Sequence, residues 1–263
     1  MRHIMTKLIY NEKYHDNCHD YLKEFYLQRY LVKKYLTLFR EIRNTVPLLQ
    51  ICERSNDDIY KETIVCDQHA VVFTHHQDKY PVLATYALNA CVSLIMYDKD
   101  THVACLSHMD GLPGYSRLSA KEDGMNINFS PVEFNIDIIL SKMANLMPPQ
   151  KEQFEFDCYL VGGIFDLSEV MVNDVIEYLG QLSLAKPNFK FILRGRNLLG
   201  PENQARNICF DTRTGKITYF DFIDNALTFR EERINGLPPN IIKAPRKNEA
   251  LLDITYIPKN RVV

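Results

Sequence analysis

The chain lacks any apolar run long enough to cross a membrane. Its longest runs, 91–97 and 159–165, cover seven residues each, whereas a spanning helix needs about 20. It also lacks a basic excess: 31 Lys and Arg stand against 33 Asp and Glu, for a formal net charge of -2. That removes the electrostatic footprint of a nucleic-acid binder. No C-x-x-C occurs among the seven cysteines, Cys18, Cys52, Cys66, Cys91, Cys105, Cys158 and Cys209. Their odd number and scattered spacing exclude a disulfide framework and a structural zinc site, so most are expected to be small buried hydrophobes. The opening residues Met1–Ile4 carry no signal-peptide core. The expectation is a cytoplasmic protein without membrane partners, with export through a system that reads other signals left open.

Several catalytic signatures are missing as well. There is no G-x-S-x-G elbow, phosphate-binding loop, G-x-G-x-x-G or H-E-x-x-H. The adjacent His75 and His76 cannot point the same way from a strand or helix, and no third ligand lies nearby, so they are read as structural. Neither a metal nor an organic cofactor is expected.

What is present begins with a helical pattern over about 18–43, carrying Leu22, Phe25, Val32, Leu36 and Phe39 and closed by Pro47. It makes 1–55 an N-terminal helical extension ahead of a domain at 56–263. Two readings stay open for this helix: it packs on the domain behind it, or it docks a partner. From about Glu62 the pattern turns to β-type runs at 63–66, 70–73, 90–97 and 102–108, with Asp98–Lys99–Asp100 as the turn between the last two. A polar loop follows at 111–128, then a helix from Pro131 to about Met147, stopped by Pro148 and Pro149. Further strands are expected at 154–164, 189–194, 205–211 and 216–222. A helix carrying Met171, Val175, Leu179 and Leu182 lies among them, with Asp166 or Ser168 as N-cap. Strands outnumber helices, which predicts an α+β fold with mixed or paired sheets flanked by helices.

The chemistry concentrates at 83–111. Cys91 opens one strand of the 90–108 hairpin and His108 closes the other, so the hairpin brings a thiol and an imidazole to its open ends, as cross-strand neighbours. A cysteine hydrolase needs that pair: the thiolate attacks, and the neighbouring imidazolium lowers the thiol pKa and stores the proton. Backbone N–H groups at the loop-to-strand junction are expected to hold the oxyanion. Cys105, three positions before His108, faces the opposite side and is read as core.

The spacing Thr85, Cys91, His108, six residues and then seventeen, resembles that of the chemoreceptor glutamine deamidases, which use a Cys–His–Thr triad. The segments 160–163 and 205–216 resemble that family's Gly-Gly strand and closing hairpin. Residues 104–111, reading ACLSHMDG, are similar to the A/T-C-L-T-H-C-D-G block of the eukaryotic protein N-terminal asparagine amidohydrolases. Residues 159–166 are likewise similar to their L-V-G-G segment. The likeness covers about 64–222 and departs from the glutamine deamidases at Asn89–Ala90, where they carry Gly-Ser.

The resemblance implies a layered deamidase-type fold and hydrolysis of an asparagine or glutamine side-chain amide in a protein or peptide. It implies Cys91 as nucleophile and His108 as base. Thr85 orients the imidazole, or is an ordinary loop hydroxyl. Asp110 receives the α-ammonium of an N-terminal residue, or merely caps a turn. Asn89, Ser107, Gly162 and Gly163 complete the expected substrate-binding surroundings, the two glycines by letting a strand end approach the site. The leading expectation is conversion of N-terminal asparagine to aspartate. The alternatives are a deamidase of internal Gln or Asn, and an inactive binding protein of the same fold.

Overall fold

A computed structural model describes residues 49, 51, 62–109, 118–122, 125–129, 131–164, 168–200, 205–219 and 252–262. The expected helix at 18–43, the boundary at residue 55, Asp110 and Asp166 lie outside the described residues. The elements are β1 (Thr63–Cys66), β2 (Ala70–His75), β3 (Val82–Leu88), β4 (Val92–Asp98), β5 (Val103–His108), β6 (Leu118–Glu122), β7 (Met125–Phe129), α1 (Pro131–Leu146), β8 (Phe154–Ile164), α2 (Glu169–Ala185), β9 (Phe189–Gly200), β10 (Arg206–Asp211), β11 (Lys216–Tyr219) and β12 (Asp253–Tyr256).

Apolar residues on both faces of β4 and β5 require cover on both sides, and the fold supplies it with an α+β, helix–sheet–sheet arrangement. Sheet one runs β12-β2-β5-β4-β8-β9 and sheet two runs β1-β3-β10-β11. Against one face of sheet one lie α1, through Ile136, Ile139, Leu140 and Met143, and α2, through Val172, Val175, Leu179 and Leu182; these meet Phe73, Leu94, Met96 and Cys105. Helical spacing of the apolar residues makes those stripes, and Pro131 starts α1 at a position where a proline costs no hydrogen bond. The other face, with Val72, Ile95, Leu106 and Val161, packs on Ile64, Leu83, Ile208 and Phe210 of sheet two. Parallel β8 and β9 are joined through α2, as parallel neighbours need a crossover. No helix among the described residues is long and apolar enough to cross a membrane.

Two expectations are corrected here. No strand is expected ahead of Cys91, where 85–89 reads as a polar stretch, yet residues 82–88 form β3, a central strand of sheet two. Its Thr85 is fully buried because two neighbours cover it, β1 in parallel and β10 antiparallel. Second, the loop expected at 111–128 contains the hairpin β6–β7, with Leu118 opposite Phe129. Its strands, LSAKE and MNINF, are too polar to stand out by hydrophobicity. Ser168 does stand at the N-cap of α2, as expected, though its hydroxyl makes no cap hydrogen bond.

The turn between β4 and β5 fixes the register that matters most. Asp98, fully buried, accepts hydrogen bonds from the Thr101 backbone and hydroxyl, both at 2.9 Å, and pairs with Val103. His102 takes φ 56 to close the four-residue connection. His75 is enclosed between the Gln77 backbone N–H and the Asn260 carbonyl, at 3.2 and 3.0 Å. The His76 ring rests 4.7 Å from that of His102. Among the described residues no cluster of three His, Cys, Asp or Glu side chains could hold a metal.

Candidate active site

Counting along the β4–β5 ladder from Ile95 opposite Leu106 places Ser93 opposite His108, and an isolated bridge joins Val92 to Met109. Cys91 therefore falls two positions short of direct pairing with His108, a correction to the register expected from the turn. The two are diagonal neighbours on one face, the face that meets sheet two: Cys91 packs against the inter-sheet core, and His108 alternates with Ala104 and Leu106 of that same core. Diagonal side chains on one face remain close enough to interact.

Sheet two completes the arrangement. Thr85 Oγ1 lies 2.8 Å from His108 Nδ1 and donates its own hydrogen to the Cys66 carbonyl at 2.9 Å. A hydroxyl has one hydrogen, so it must accept the Nδ1–H, which fixes the tautomer and leaves Nε2 with a lone pair. Nε2 is buried with no hydrogen-bond partner. The ring thus offers a base on the face that carries the thiol, its other nitrogen held from the opposite sheet.

Burial, with a smaller contribution from His69, lowers the His108 pKa from 6.5 to about 4. The imidazole is therefore neutral at pH 7 in the free protein, in place of the expected resting imidazolium. The sign for stability follows. The unfolded chain binds the proton more readily, so the full contribution is present above about pH 6.5 and is lost as pH falls through about 4. A depression of that size corresponds to about 3 kcal/mol. Urea unfolding at pH 7 and pH 4 should show wild type losing about that much more stability than His108→Gln. Parallel losses in the two proteins would mean that the imidazole is solvated.

The approach to Cys91 is built by backbone. The Gly163 N–H donates to the Cys91 carbonyl at 2.8 Å. A Cβ on Gly162, which sits at φ 109, would overlap that carbonyl. Ser168, not anticipated as a site residue, accepts the Ile164 N–H at 3.1 Å and donates to the Ala90 carbonyl at 2.7 Å, tying the residue before the thiol to the start of α2. Its hydroxyl is spent on this link rather than on capping. Only its place as a helix N-cap drew notice in the sequence; nothing there pointed to Ala90.

Of the other expected residues, Asn89 lies by the site and Ser107 does not; Ser93, not expected, joins the first. Asn89 Oδ1 and Ser93 Oγ are buried without hydrogen-bond partners, polar atoms of the kind a substrate or ordered water satisfies. Ser107 is not at the site: it faces the helices, and its hydroxyl bonds the Leu94 backbone N–H and carbonyl at 3.3 and 3.2 Å. Adjacent strand residues point to opposite faces, so a residue next to His108 cannot share its side. Cys105 lies in the helix-facing core, and burial pushes its thiol up to about 12. The thiol of half-buried Cys91 receives the Gln68 side-chain N–H at 3.8 Å. Gln68 had no signal in the sequence beyond being a polar residue in a turn.

Fold and site together define a two-sheet α+β protein whose imidazole is oriented by one sheet and shares a face of the other with a half-buried cysteine. The chain belongs to the same family as an uncharacterized protein of Acanthamoeba polyphaga mimivirus, with 54% identity over 254 residues, 97% of this chain and 93% of the viral protein. No family model matches the chain.

Proposed function

We propose that this protein is a cysteine-dependent amidohydrolase of side-chain carboxamides in proteins, with N-terminal asparagine as its substrate. The observation that carries this reading is the Thr85–His108 hydrogen bond of 2.8 Å, which leaves a neutral imidazole with its Nε2 lone pair on the face of Cys91. A buried polar atom without a partner is costly, and a base awaiting a proton accounts for it. The N-terminal and asparagine specificities rest on the resemblance of 104–111 to the asparagine amidohydrolases.

In the reaction, Nε2 of His108 takes the thiol proton as Cys91 Sγ forms a bond to the carboxamide carbon. The tetrahedral intermediate collapses with cleavage of the C–N bond, and the same proton leaves on ammonia. A water molecule then attacks the thioester, giving its proton to Nε2. Cleavage of the C–S bond releases the carboxylate, and the thiol recovers its proton from His108. Atoms balance as amide plus water to acid plus ammonia, and every proton passes through one nitrogen.

Peptides beginning with Asn, peptides beginning with Gln, and peptides carrying either residue internally separate the possibilities. Mass spectrometry and ammonia release should show conversion of the Asn-first peptides. Conversion confined to internal residues would sink the N-terminal assignment, and conversion of none would sink the hydrolase reading.

A further inference from the structure

The amide group at the thiol has a role that the triad leaves unfilled. A tetrahedral intermediate on Cys91 places negative charge on the former carboxamide oxygen, which needs a donor held in advance. Two backbone donors beside the sulfur are already engaged: the Val92 N–H bonds the Met109 carbonyl at 2.8 Å, and the Gly163 N–H bonds the Cys91 carbonyl at 2.8 Å. The Asn89 N–H is turned back to the Ala87 carbonyl, also at 2.8 Å. At the sulfur itself stands the side-chain N–H of Gln68, 3.8 Å from Sγ. The carboxamide oxygen is bonded to the carbon that the sulfur attacks, so a donor at that distance from sulfur can come within about 3 Å of an oxyanion formed on its side.

Gln68 is positioned from both sides. It sits in the turn by which the chain passes from β1 in sheet two to β2 in sheet one. Before it, the Cys66 carbonyl accepts the Thr85 hydroxyl at 2.9 Å. After it, the His69 N–H donates to the His108 carbonyl at 2.9 Å, with His69 at φ 59. Asp67 is pinned as well, by the Tyr86 hydroxyl at 2.7 Å and through its carbonyl by the Ala70 N–H at 3.2 Å. One short turn therefore touches all three members of the triad: Thr85 through Cys66, Cys91 through Gln68, and His108 through His69. A side chain on so constrained a backbone loses little further freedom in aiming its amide.

We infer that Gln68 is the oxyanion donor of this site. The inference rests on the amidohydrolase reading and adds a residue to it. The N–H stabilises the oxygen only while it carries charge, so it acts on turnover rather than on substrate binding.

Full-length wild type, Gln68→Ala and Gln68→Glu should be compared on Asn-first peptides. In parallel, iodoacetamide modification should be followed at the Cys91-containing peptide. Alkylation consumes the thiolate without forming an oxyanion, so it reports the fold and the nucleophile separately from the donor. Gln68→Ala should lower kcat by about 10²–10³-fold with KM little changed, while alkylation slows far less. Gln68→Glu should do no better than alanine, because a carboxylate at that place accepts instead of donating. A kcat close to wild type in Gln68→Ala would overturn the donor role and leave the hydrolase reading standing. Equal slowing of alkylation and turnover would also overturn it, since the amide would then be acting on the thiol. Wild type without turnover on any peptide would remove both.

Discussion

Cys91→Ala should abolish amide hydrolysis, with a fall of at least about 10⁴-fold in kcat, and should leave the fold intact. The size of the effect follows from the lack of a substitute nucleophile in the described structure. Cys66, Cys105, Cys158 and Cys209 are all buried, and desolvation pushes the Cys105 and Cys158 thiols up. None can reach a substrate that enters from the face Cys91 shares with solvent. His108→Ala should cost about as much, and the double variant no more than either alone, because base and nucleophile act as a unit. Initial rates of ammonia release measure this, with thermal melts confirming that each variant is folded. Activity that survives in Cys91→Ala would place the nucleophile elsewhere.

Gly162→Ala should be the most damaging single-methyl change in the described structure. Two costs fall together: a φ of 109 that an L side chain rarely adopts, and a Cβ driven into the Cys91 carbonyl. Backbone strain of this kind costs about 1–3 kcal/mol, and overpacking against fixed backbone a similar amount. Cys91 cannot step aside freely, because its carbonyl is also held by the Gly163 N–H at 2.8 Å and Ala90 is held by Ser168 at 2.7 Å. The variant should melt lower by about 5–15 °C, at the few degrees per kcal/mol usual for a chain of this size. Any protein that folds should have a displaced thiol, seen as altered alkylation at Cys91. An unchanged melting temperature would mean that β8 and β4 separate there without cost.

These two positions also mark how far the sequence could be read. The stretches 63–66 and 154–164 were legible to the residue, since dense apolar residues bounded by polar ones leave little freedom in where a strand starts and stops. The Pro148–Pro149 pair did the same for the end of α1. β3 was not, because Thr85 and Tyr86 interrupt its apolar run; the strand is held by neighbours 19 and more residues away, which local pattern does not report. Cys91 and His108 were placed on one end of two adjacent strands, but the Asp98–Thr101 hydrogen bonds set the pairing two residues away from the one assumed. Ser107 came in through its place in a sequence block, and strand alternation alone would have put it opposite to His108. Gln68 and Ser168 reach the site through turns whose geometry depends on both sheets, so no spacing rule points to them.

The hydrogen bond between Thr85 and His108 has a consequence for the life of the chain. Cys91 and His108, the proposed nucleophile and base, stand on one sheet, while Thr85, which chooses the imidazole's tautomer, stands on the other. A chain still emerging from synthesis, or one whose sheets have parted, carries the reactive residues without the order that makes them useful. On the proposed mechanism, competence would therefore require both sheets to be in place, since Thr85 selects the tautomer of His108 only across the gap between them.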